Sequence, residues 1–165
     1  MPNPDFLVER IRRAVGRAAA YVWAAPNSAL GALGGLAVLC LGGRLRLVSG
    51  AAEFHGGLAG RFFGSLPAPF RFGAITLGHV ILGVSHAELV AVRTHERVHV
   101  RQYERWGVLF LPAYALSSGW QIVRGRCAYR DNVFERQAYA VGAGNDGKPT
   151  LRTGTLPPVP ALPEP

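Results

Sequence analysis

Five consecutive residues, His95-Glu96-Arg97-Val98-His99, carry the strongest chemical signal in the chain. They read H-E-x-x-H. On a helix, positions four apart lie on one face about one turn apart, so both imidazoles can reach a single metal ion. Glu96 then stands beside them, placed to take a proton from a metal-bound water. With five His and seven Glu in 165 residues, the motif is expected by chance roughly 0.006 times. At about 100° per residue, Glu88, Val92, His95, His99, Gln102 and Trp106 share one broad face, and Arg93, Arg97, Glu104 and Arg105 fall on the other. The histidines are expected inward and the charges outward. The plainer alternative is two buried histidines bonded to carbonyls, with Glu96 paired to an arginine.

Catalytic zinc takes three protein ligands and keeps one position open. Glu135, within the segment Asn132 to Tyr139 (NVFERQAY), completes a His95, His99, Glu135 set from a later predicted helix. Its plainer reading is a surface partner of Arg130 or Arg136. A ligating histidine normally gives its second N–H to an oxygen. Gln102, one turn beyond His99, and Asn132, one turn before Glu135, offer such oxygens, and each reads equally well as an ordinary helix polar residue or cap. Tyr103, Tyr129, Tyr139 and His79 are candidates to stabilise a tetrahedral oxyanion.

The run THERVHVRQ followed by NVFERQAY resembles the gluzin branch of the zincin metallopeptidases, in which HExxH on one helix meets a Glu on a later one. HExxHxxQ followed by FERxA is similar, more closely, to small bacterial zincin-like domains of uncharacterised function. The resemblance covers residues 72 to 140. It implies a zinc-dependent peptidase: a peptide or protein substrate lies along a sheet edge, and Glu96 acts as general base and then delivers the proton to the leaving amine. Gluzins commonly carry an Asp four residues after the ligand Glu, to hold a histidine by its second nitrogen. Tyr139 stands there instead, so the groups around the ligands must differ. Two other readings stay open: a non-catalytic, vestigial zincin domain that binds metal or a partner, and a module associated with a membrane surface.

The elements that must position these residues follow from pattern. Ser85-His86-Ala87-Glu88 is a capping box, and the helix it opens should run to Trp106 with Gly107 as its terminator. A later helix should start near Asp131 or Asn132 and reach Val141. Arg44 to Gly57 alternates like a half-buried strand, and Phe72 to Val84 reads as a strand or a hairpin bent at Gly78. The fold expected is α+β: a small, mainly antiparallel sheet within residues 36 to 84, followed by the metal helix and the Glu helix. Three segments are expected: an amphipathic helix within 1–27, a zincin-like domain over 28–141, and a Pro/Gly-rich disordered tail over 142–165. The uncharged stretches Ser28–Leu41 and Val108–Leu116 are each shorter than the ~20 residues that span a bilayer. They are expected to be core elements, with lipid contact as the alternative.

Composition sets the outer bounds. Hydrophobic residues make up 49% and charged residues 17%, against roughly 25% charged in an average domain, which excludes a mainly disordered chain. Cys40 and Cys127 support neither a disulfide framework nor a cysteine zinc site. The net charge of +8 comes from 17 Arg and one Lys, Lys148, with no run of five and no nucleic-acid-binding motif, so no nucleic-acid partner is expected. Arg10, Arg12, Arg13 and Arg17 would equally suit an anionic membrane surface. With no cleavable signal in view, the expected location is cytoplasmic, with peripheral membrane contact as the variant.

Overall fold

The computed structural model describes residues 4–67 and 72–146. They form five α-helices and a four-stranded sheet, an α+β arrangement. Helix α1 (Pro4–Cys40) leads into a hairpin of β1 (Arg44–Val48) and β2 (Ala51–His55). Its two-residue turn, Ser49 and Gly50, has positive φ at both positions (47° and 86°), the geometry that matches strand twist. Helix α2 (Gly57–Ser65) precedes a second hairpin, β3 (Ala74–Leu77) and β4 (Val80–Gly83), turned at Gly78 and His79. The strand order is β1-β2-β4-β3. Both hairpins are antiparallel, but they join through a parallel β2–β4 pairing, Ala52 opposite Val80. The sheet is therefore mixed, because α2 carries the chain across before the second hairpin begins.

Side chains alternate across the pleat and sort into two cores. Phe54 and Val80 pack with Val38 of α1, while Ala51 and Ile81 pack with Leu89 and Val100 of α3 (His86–Trp106). The sheet thus lies between α1 and α3. A third core, of Ala24, Tyr103, Phe110 and Phe134, joins α1 and α3 to α4 (Phe110–Val123) and α5 (Val133–Asp146).

Several boundaries differ from expectation. The N-terminal helix and the Ser28–Leu41 segment are one helix, continuous through Pro26, and residues 36–40 are helical and not sheet. Its inner face is Ala24, Asn27, Gly31, Gly35 and Val38. At Gly35 a Cβ would meet the Phe54 ring at 2.6 Å, so glycine permits the close helix–sheet approach. As one helix, α1 is long and apolar enough to cross a membrane, which neither half is alone. Val108–Leu116 does not serve mainly as core: Phe110 is buried, but Leu109, Leu111 and Leu116 are exposed. Helix α5 continues past Val141 to Asp146, five residues into the expected tail, and the disorder expected of 147–165 lies outside the described residues.

Candidate metal centre

Helix α3 begins and ends as its sequence requires. Ser85 Oγ accepts from the Glu88 amide at 3.2 Å, and Gly107 closes the helix at φ +53°, where a Cβ would strike the Trp23 indole. The helix is tied to the sheet by a bidentate ion pair, Arg93 to the fully buried Glu53 at 2.8 and 2.9 Å. Arg93 was expected to face outward. It turns inward because an otherwise unpaired Glu53 carboxylate sits under the helix.

One turn apart on α3, His95 and His99 bring their Nε2 atoms to 3.0 Å from each other. Glu135, in the first turn of α5, places Oε2 3.2 Å from the former and Oε1 3.4 Å from the latter. The three side chains therefore form a group able to hold a metal ion, their ligand atoms all within 4.8 Å of one another. Gln102 Oε1 lies 2.8 Å from His99 Nδ1. Its amide nitrogen donates to the Phe134 carbonyl and to Gln137 Oε1, which fixes the amide orientation. The proton of neutral His99 therefore sits on Nδ1, and its Nε2 lone pair points at His95. Glu135 Oε2 is buried without a hydrogen-bond partner. Two imidazole nitrogens and an orphaned carboxylate oxygen facing one point repel each other unless a cation lies between them, and this donor set suits a borderline divalent metal.

The electrostatics carry the same imprint. Burial alone would raise the Glu135 carboxyl, yet His95, His99 and Tyr114 hold it down at about 2. Burial would lower His99, but the hydrogen bond and charge of Glu135 outweigh it and leave this imidazole above its ordinary value. Tyr114, whose phenol is raised by burial and by Glu135, stays protonated and donates to Glu135 Oε1 at 2.8 Å.

Glu96 is buried beside the pair and accepts a 2.6 Å hydrogen bond from Thr76 Oγ1 on β3, so it is paired to a hydroxyl and not to an arginine. Asn132 does not reach a ligand. It caps α5, with Oδ1 accepting from the Phe134 amide, and it bridges to the Tyr114 carbonyl and Ser118 Oγ. Tyr139 packs its ring 4.6 Å from that of His95, with its hydroxyl 3.5 Å from that of Tyr129. His95 Nδ1 is buried with no hydrogen-bond partner. Tyr103 is sealed in the third core, away from reacting groups.

His79, expected within a strand, sits in the β3–β4 turn. It stacks on Tyr21 at 3.8 Å, lies 3.2 Å from Glu104 and binds Ser28 through its backbone amide. Sequence reasoning missed Tyr114 and Thr76 altogether. Neither has a fixed spacing to the motif, and only the tertiary fold brings them in. No family model matches the chain, and no curated protein or solved structure is significantly similar to it.

Proposed function

We propose that the chain is a zinc-dependent peptide hydrolase of gluzin-like design, with His95, His99 and Glu135 as ligands and Glu96 as general base. The observation that carries this reading is the convergence of two Nε2 atoms on a buried carboxylate whose Oε2 has no hydrogen-bond partner. Bound zinc would supply Lewis acidity to water and to the scissile carbonyl. The chain's own groups do the rest. Thr76 holds one oxygen of Glu96, leaving the other to accept the nucleophile's proton and return it to the leaving amine. Gln102 sets the His99 tautomer, and Tyr114 orients Glu135. The substrate class is a peptide or protein.

A second reading, a non-catalytic metal centre used for binding, is favoured by closure. The side chains of His95, His99 and Glu135 are only 15%, 9% and 3% exposed, and a catalytic metal needs an open position. Glu96→Gln separates the two readings. Under the proposal it retains stoichiometric zinc and loses at least ~100-fold in cleavage of a mixed peptide library. Wild-type protein that binds zinc but cleaves nothing would establish the non-catalytic reading, and equal turnover by Glu96→Gln would remove Glu96 from the mechanism.

A further inference from the structure

Helix α4 has its polarity reversed relative to a docked helix. From Val108 to Val123 the sequence carries no charge. Its polar side chains turn inward: Tyr114 to Glu135, Ser117 Oγ to the Val133 amide, and Ser118 Oγ to Asn132. Its outward side is apolar, with Leu116 75%, Trp120 56%, Ile122 64% and Val123 79% exposed. Such a surface is costly in water, and a monomer seldom keeps one without a use. Immediately beyond it lie Arg124, Arg126 and Arg130, all exposed, with the Arg124 guanidinium 4.9 Å over the Trp120 ring. The neighbouring acidic group, Asp131, is turned back to accept from the Cys127 amide.

We infer that this face of α4 docks the protein on an anionic lipid bilayer. The apolar residues enter the acyl boundary, Trp120 sits at headgroup depth, and the three arginines meet lipid phosphates. Charge complementarity selects this occupant over a second copy of the chain, since two molecules of charge +8 repel. Attachment is peripheral. Helix α1 is long enough to span, but residues 31–38 pack on a sheet that bears exposed Arg44 and Arg46, and spanning would drag those charges into hydrocarbon. The docked face backs directly onto the metal centre, because Tyr114 on the inner side of α4 holds Glu135. Docking itself does not depend on hydrolysis.

Vesicle flotation of the full-length protein tests this. With phosphatidylcholine vesicles containing phosphatidylglycerol, the protein should float at low salt and be released at high salt; with phosphatidylcholine alone it should bind far more weakly. Arg124→Ala with Arg126→Ala should weaken partitioning about fivefold per arginine. Leu116→Asp with Val123→Asp should abolish it while leaving zinc content and the circular dichroism spectrum unchanged. Three outcomes overturn the inference: no flotation with either vesicle, flotation untouched by the α4 substitutions, or a dimer in dilute solution that Leu116→Asp dissociates.

Discussion

Two histidine sites lie along α3, and they differ in what surrounds their nitrogens. At His79, each ring nitrogen faces an oxygen, Glu104 Oε1 at 3.2 Å and Ser28 Oγ at 3.5 Å, and the ring stacks on Tyr21. Every group there has a partner within the protein, and the result is a lock between α1, the β3–β4 turn and α3. At His95 and His99 the Nε2 atoms face each other across 3.0 Å, and a carboxylate oxygen beside them has no hydrogen bond. The two sites share residue types, although Glu104 is 36% exposed and Glu135 only 3%. A satisfied histidine joins elements, whereas converging acceptors left unsatisfied mark a place for a cation.

Removing a ring from each site should separate them most sharply. His95→Ala takes one of the three proposed ligands, so zinc affinity should fall by more than the ~10–100-fold typical of losing a supporting partner. His79→Ala should leave zinc affinity within about threefold and instead cost about 1–3 kcal/mol of stability, from the unpaired groups it leaves. Competition with a zinc chelator and thermal unfolding give the two readouts. Zinc lost equally from both variants would dissolve the distinction.

Next in size is Gln102→Leu, which removes the oxygen facing His99 Nδ1 and the amide that reaches the Phe134 carbonyl and Gln137. Zinc affinity should fall roughly 10–100-fold. Gln102→Glu keeps an acceptor for Nδ1 and should recover most of that loss. An affinity indifferent to both substitutions would mean that His99 is oriented by packing alone.

Legibility from sequence followed the range of the interactions. The cap at Ser85, the stop at Gly107 and the paired histidines are local, set by residues within a turn or two, and they can be read directly. Glu135 was readable as a candidate because few carboxylates are available and this one falls on a later predicted helix opened near Asp131 or Asn132. The union of two segments into α1 was not. Pro26 inside a helix costs about 3 kcal/mol, and what offsets it is contact of Gly31, Gly35 and Val38 with strands that come later in the chain. The parallel β2–β4 pairing is likewise a long-range match without local signal. Tyr114 was hidden by its setting: in an uncharged helix it reads as one more apolar residue, and its hydroxyl acquires meaning only when α5 folds against it.

The charge pattern at the metal centre predicts a pH response that zinc should reverse. Glu135 is depressed from 4.5 to about 2, so its contribution to stability is fully present above 4.5 and is lost as pH falls toward 2. His99 is raised above 6.5, so its contribution is present below 6.5 and is lost as pH rises through its folded value. Metal-free protein should therefore show its highest melting temperature between these limits, with a modest decline on the alkaline side. Zinc requires neutral imidazoles, so saturating zinc should turn that decline into a rise. An alkaline limb unchanged by zinc would place the metal elsewhere.

The smallest effect expected belongs to Tyr114→Phe. The substitution deletes one hydroxyl and keeps the ring, which packs 5.9 Å from Phe110 and 6.2 Å from Phe134, so α4 should stay in place. The junction to α5 is also held by Asn132, which donates to the Tyr114 carbonyl and to Ser118 Oγ, both retained. What disappears is the 2.8 Å donation to Glu135 Oε1, one of several contacts that hold the carboxylate. In the metal-free protein Glu135 should titrate higher, since a hydrogen bond favouring its ionised form is gone. In the zinc-bound protein the metal itself satisfies the carboxylate, so affinity should fall only about 3–10-fold, near the lower end of a supporting-partner loss. A fall beyond 100-fold would make Tyr114 a ligand in its own right. No change at all would mean that α4 does not orient Glu135, and its inward face would then resemble the His79 lock, joining helices without tuning the metal centre.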